Sequence, residues 1–209
     1  MTLTLLDWRR RVSALYAAAR AASDPESGWR TWRDGRDELF ATHPDSPLDA
    51  AARERFSGLP YAPYDPAMRF EAVVEQAEPQ RVEVPTATDG VVPFERIGVL
   101  HLPDIGDLDV WWLDSYGGGI FVPVKDALAG KETYGAGRYL LDTVKGADLG
   151  GDVDLATARG TLVVDLNFAY NPSCAYDPAW VCPLAPPGNI VPVPLRVGEL
   201  YPVREPAGD

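Results

Sequence analysis

Met68-Arg69-Phe70-Glu71-Ala72-Val73-Val74-Glu75 is the stretch that sets the fold class. Met68, Phe70, Ala72 and Val74 alternate with Arg69, Glu71 and Glu75. A period of two is that of a half-buried strand, whose successive side chains point to opposite faces. Strand character returns at Val82 and Val84, Phe94 to Leu102, Leu108 to Leu113, Ile120 to Val124, Gly137 to Asp142 and Thr161 to Asn167. Ser115-Tyr116-Gly117-Gly118-Gly119 and the stretch from Asp126 to Gly130 read as turns. Short strands at close spacing, with no helical pattern between them, predict a small antiparallel barrel or sandwich. The missing strand–helix alternation argues against a doubly wound parallel sheet.

Upstream the period changes. Leu5, Leu6, Trp8, Val12, Leu15, Tyr16 and Ala19 recur at steps of three and four, which predicts a helix. Ser23-Asp24-Pro25 ends it, and a second helix is expected from near Ser27 to Phe40. Ser46-Pro47-Leu48-Asp49 predicts a third, with Ser46 as cap and Pro47 at the first helical position, running to Phe56. Leu59 to Pro66 holds three prolines and is expected to be extended. The expectation is therefore α+β and mostly β. A helical segment (1–58) packs on a β-rich domain (67–203), the whole being one globular unit (1–209).

Seven prolines fall between Pro172 and Pro194, so that stretch cannot be a central strand throughout. Tyr170, Tyr176, Trp180, Val181, Leu184 and Ile190 are too apolar for a solvated tail. An ordered, packed C-terminal loop crossing the β-domain is expected.

With 209 residues the chain can bury roughly 70% of its unfolded surface and needs no covalent staples. No apolar run approaches the roughly 20 residues of a membrane helix. MTLTLLDWRRR places its charges after its apolar residues, so no secretory signal and a cytoplasmic protein are expected. The net charge of -12 argues against nucleic acid as a partner. Cys174 and Cys182 are spaced C-x7-C, and the histidines are His43 and His101 alone, which is no zinc-ribbon pattern. Two buried free thiols are expected, with a local disulfide around Pro178 as the alternative. No metal and no particular cofactor are implied.

Several motifs occur in order along the chain. His43-Pro44-x-Ser46-Pro47-Leu48, Phe56-x-Gly58-Leu59-x-Tyr61 and Thr133-Tyr134-Gly135-Ala136-Gly137-Arg138-Tyr139-Leu140 come first. Asp165-x-Asn167-x-Ala169-Tyr170-Asn171-Pro172-x-Cys174-Ala175-Tyr176, Cys182-Pro183-x-x-Pro186-x-x-Asn189 and Val197-Gly198-Glu199 follow. Together they resemble the prokaryotic family of unknown function DUF1684, from about Trp8 to about Tyr201. The resemblance implies a stand-alone, mostly intracellular prokaryotic protein. It implies no reaction.

Asp165, Asn167, Tyr170 and Asn171 form the leading candidate cluster. On a strand Asp165 and Asn167 would share a face beside an apolar core, and buried polar groups need partners. The functional reading is the polar floor of a pocket. The structural alternative is a latch that bonds the backbone of the Pro-rich loop. Tyr134 and Arg138 are second: Gly135 and Gly137 allow close backbone approach, and Arg138 could clamp a carboxylate or phosphate. Its structural alternative is an internal pair with an acid such as Asp165. Cys174, His101 and Asp165 could be written as a nucleophile set, though no spacing requires them to meet. His43 is expected to cap helix carbonyls. Of Trp111 and Trp112, neighbours on a strand, one must lie outside the core.

The expected function is binding of a small polar, anionic metabolite, lined by Tyr134, Arg138, Asp165, Asn167, Tyr170 and Asn171. Were there turnover, Asp165 would be the base and Arg138 the clamp. The alternative is a non-enzymatic interaction or assembly module, a homodimer for instance, whose polar motifs are architecture. A flavin-type split barrel is a third reading, on fold analogy alone.

Overall fold

The alternation beginning at residue 69 is realised as strands in a computed structural model that describes residues 3–85, 90–157 and 159–201. They are β1 (Arg69–Val73), β2 (Arg81–Pro85), β3 (Val91–Leu102), β4 (Gly106–Leu113), β5 (Gly119–Val124), β6 (Arg138–Asp142), β7 (Val153–Asp154) and β8 (Arg159–Asp165). They form two antiparallel sheets, one of five strands in the order β2-β3-β4-β5-β6 and one of three in the order β1-β8-β7. The fold is α+β and mostly β. Single bridges link the sheets at Glu75–Val99 and at Tyr139–Tyr170, and the described strands form no closed barrel. Gly98 makes the first crossing: a Cβ there would sit 2.5 Å from the Glu75 carbonyl oxygen. The register of β3 against β4 shifts at the same place, between Arg96 and Gly98.

Three helices precede the strands among the described residues: α1 (Leu3–Ala21), α2 (Pro25–Thr42) and α3 (Ala50–Glu54). Asp24 caps α2 by accepting from the Ser27 amide, so the helix begins at Pro25, two residues before the expected start. The third helix is shorter than expected and begins later. Asp49 is its cap, taking the Ala52 amide at 2.7 Å, whereas Ser46 bonds back to the Phe40 carbonyl.

The largest apolar core draws on both sheets, with Ala72 and Val164 from one and Leu100, Leu108, Val110, Val122 and Leu140 from the other. A second cluster seats the helices: Tyr16, Trp29 and Trp32 pack on Phe168 and Ala147. The opposite face of the five-stranded sheet carries Phe94, Trp111, Phe121 and Tyr139. Trp111 is buried and Trp112 exposed, as their alternation requires. The Pro-rich segment is anchored to that face through Asn189 and Pro183, while Trp180, Val181, Leu184 and Ile190, which were expected to be packed, are exposed. Asn189 takes the Trp111 indole N–H at 2.8 Å and donates to the Asp109 and Pro123 carbonyls, while the Tyr139 hydroxyl donates to the Pro183 carbonyl.

Candidate functional site

Gly137 admits the β5–β6 connection, with φ of +95° and the Val124 carbonyl 2.9 Å from where a Cβ would stand. Arg138 follows as the first residue of β6 and is fully enclosed. Its guanidinium donates to the carbonyls of Leu195 (3.1 Å), Val197 (2.5 Å) and Glu199 (3.1 Å), and to Asp126 Oδ2 (3.1 Å). Asp126 also takes the Thr133 hydroxyl at 2.9 Å and the Leu128 amide at 2.8 Å. Arg138 thus staples the segment 195–199 to the β-domain and spends its charge inside the protein. The acid it pairs with is Asp126, twelve residues upstream, and not Asp165. Burial lowers its pKa and Asp126 opposes that effect.

The far end of the same segment enters a second buried centre. Glu199 is fully enclosed. Its carboxylate accepts from Arg36 Nη2 (2.9 Å), the Asn171 amide (3.0 Å), Asn171 Nδ2 (3.1 Å) and the Tyr176 hydroxyl. Arg36 also donates to the Tyr61 hydroxyl at 2.8 Å and lies 4.9 Å over the Tyr170 ring. Burial pushes the Glu199 carboxyl up to about 7, although Arg36 and Asn171 pull it down. Tyr170 and Asn171 from the candidate cluster are therefore parts of this centre, Tyr170 through its ring and Asn171 through its amide.

Asp165 and Asn167 do not alternate along a strand as expected. β8 ends at Asp165, which caps the short 3-10 turn Leu166–Phe168 by accepting the Asn167 amide at 3.0 Å. An Asp at that position competes for local backbone donors and stops the strand. Asn167 is fully buried. Its side chain pairs with the backbone of Asp65, accepting from N at 2.8 Å and donating to O at 2.8 Å. It latches the proline-bearing linker 59–66, and the Trp29 indole N–H donates to its carbonyl at 2.9 Å. Asn167 thus latches the linker, while Asn171, whose Nδ2 donates to the Leu200 carbonyl at 3.0 Å, holds the C-terminal segment.

Asp165 lines a cleft of about 410 Å³ between the α1–α2 turn and the three-stranded sheet. Arg20, Ser23, Asp24, Arg69, Gly150 and Phe168 share its wall. Asp165 is buried at the wall, with the Tyr64 hydroxyl at 3.3 Å and Arg69 Nε at 4.0 Å from Oδ2. Burial raises its pKa, while Asn167, Tyr64 and Arg69 pull the other way.

Tyr134 lies elsewhere, its hydroxyl 3.5 Å from Cys174 Sγ and 3.2 Å from the Cys174 carbonyl. Cys174 and Cys182 are free and half-buried. His101 is engaged by Asp107 at 2.6 Å and Glu75 at 3.6 Å, so no contact joins it to Cys174 or Asp165 among the described residues. His43 accepts the Asp45 amide on Nδ1, and its own amide, not its ring, bonds the Leu39 carbonyl. Among the described residues no group of three or more His, Cys, Asp or Glu could hold a metal ion. No helix there is long and apolar enough to cross a membrane.

Residues 54–200 match the family described as "Protein of unknown function (DUF1684)". The chain belongs to the DUF1684 family. No functionally curated protein matches it. A solved structure, the solution NMR structure of the uncharacterized protein from gene locus rrnAC0354 of Haloarcula marismortui, is 30% identical. The match covers 86% of this chain and 96% of that one, with a TM-score of 0.58. The stretch matching DUF1684 contains Arg138, Asp126, Asn171 and Glu199 but not Arg36, which comes from α2. Sequence reasoning passed over Asp126, Arg36 and Glu199 as site residues. An acid in a turn, one arginine among many on a helix and an acid at the end of a Pro-rich segment carry no local signal of burial.

Proposed function

We propose that this DUF1684 protein binds a small polar metabolite in the cleft between its helical hairpin and its three-stranded sheet. The observation that carries the reading is Asp165, a buried carboxylate of raised pKa in the wall of a concave site. Arg20 and Arg69 on the same wall suit a carboxylate or phosphate of the ligand, and Asp165 suits a hydroxyl or amine. Arg69 here takes the anion-facing part first expected of Arg138. Tyr134, Arg138, Asn167, Tyr170 and Asn171 hold the surrounding elements in place. The bridges Glu75–Val99 and Tyr139–Tyr170 support a partly open barrel as the frame. A prokaryotic cytoplasm suits the two free thiols.

The test is native mass spectrometry of the protein purified from its own host, set beside the denatured mass. A discrete added mass that disappears on denaturation, and is absent from Arg69→Ala while far-UV circular dichroism is unchanged, is the expected result. A second reading, an assembly module, is favoured by the inward bonding of Arg138, Asn167, Asn171 and Glu199. A protein that carries nothing and flies as a defined oligomer would establish that reading instead.

A further inference from the structure

We propose that the cleft takes a zwitterion, a free α-amino acid with an apolar side chain. The assignment rests on the cleft being the binding site and narrows what it binds. Four charged side chains stand on its wall, Arg20 and Arg69 against Asp24 and Asp165. The buried arginines elsewhere are bonded to an acid inside the protein, Arg138 to Asp126 and Arg36 to Glu199. The two on the cleft are held more loosely. Arg20 donates to the Asp148 carbonyl, a neutral acceptor. Arg69 stands 3.5 Å from Glu71 and 4.0 Å from Asp165, beyond good hydrogen-bond distance. A guanidinium has five N–H donors, so both keep donors for a ligand carboxylate.

The two acids each keep one loosely held oxygen. Asp165 Oδ1 takes the Asn167 amide at 3.0 Å and Asn167 Nδ2 at 2.7 Å, whereas Oδ2 meets the Tyr64 hydroxyl at 3.3 Å and Arg69 at 4.0 Å. Asp24 Oδ1 takes the Ser27 amide at 2.9 Å, and Oδ2 meets the Ser23 hydroxyl at 3.3 Å. The four charges cancel on the wall, while the chain as a whole carries -12. An anion would be repelled by the molecule on approach and by Asp24 and Asp165 on arrival. A zwitterion has no net charge to be repelled, and it offers a carboxylate to the arginines and an ammonium to the aspartates. Leu149, Val163 and Phe168 add apolar wall for a side chain. The volume of about 410 Å³ lies at the small end of ligand pockets, which run from about 300 to about 1,000 Å³.

The test is titration calorimetry of the full chain with L-leucine, L-methionine and L-phenylalanine as probes. Each is set beside its N-acetyl form, which lacks the positive charge, its amide, which lacks the negative one, and succinate, an anion alone. At least one free amino acid should bind, and its two capped forms should bind at least about tenfold more weakly. Arg69→Ala, Asp165→Asn and Asp24→Asn should each weaken the free amino acid by at least about tenfold. Asparagine retains an acceptor for the Asn167 and Ser27 amides, so the turn and the helix cap survive in the last two variants. Succinate or an N-acetyl form binding as tightly as the free amino acid, with binding lost in Arg69→Ala, would overturn the zwitterion and leave the cleft as the site. Failure of all three free amino acids to bind would also overturn it. The cleft reading itself falls only if protein from its own host carries no added mass.

Discussion

Glu199 sits between opposing influences, and its titration is visible in stability. Its folded pKa is about 7 against an ordinary 4.5, so between those values the folded chain binds a proton that the unfolded chain has lost. Stability from this group is complete below the unfolded value and declines as pH rises through the folded one. The melting temperature of the wild type, less that of Glu199→Gln, should therefore fall from pH 4.5 to about 7 and level off above. A flat difference would show that Glu199 does not titrate there. Arg138 contributes by the partners it holds. Arg138→Ala leaves Asp126 buried without its cation and three carbonyls without their donor. A loss of about 3–5 kcal/mol in denaturant unfolding is expected. That Arg138 pairs with an internal acid was one of its two readings in the sequence. That the acid is Asp126 was not legible, because neither periodicity nor spacing brings a turn at 126 to a strand start at 138.

Elements were legible where a pattern repeats. The first two helices and β1 show their periods because one face lies in a core, while β4, β5 and β6 carry a core on each face and were legible as apolar runs between turns. β7 escaped notice, since two residues, both exposed, carry no periodicity. The turn after β8 escaped because Asp165 and Asn167 satisfy a strand pattern and a capping pattern equally, and only the position of the linker decides. The linker gives a prediction of its own. Asn167→Ala removes both bonds to the Asp65 backbone and should cost about 1–3 kcal/mol. Amide hydrogen exchange at Asp65 and Ala67 should accelerate more than in the β-sheets. Trp32→Ala empties the seat between α2, Phe168 and Tyr61 and should cost about 3–5 kcal/mol, read by chemical denaturation.

At the scale of the molecule, a net charge of -12 makes the folded state repel itself at neutral pH. Raising salt from about 0.01 M to about 0.15 M shortens the screening length from about 30 Å to about 8 Å. The melting temperature should rise over that range, and a fall would mean that local ion pairs outweigh the global repulsion. The bond from Arg36 to Glu199 spans 163 residues of sequence, and those from Arg138 to the segment 195–199 span about sixty. Contacts so distant are reached only after long loops have closed, and their entropy is spent before they return anything. Refolding should therefore end in a slow phase in which helices and hairpins have already formed and the Pro-rich strap is still undocked. Until that phase completes, Arg138 and Arg36 stand in water, and the protein's interior has no lid on the side where its chain comes last.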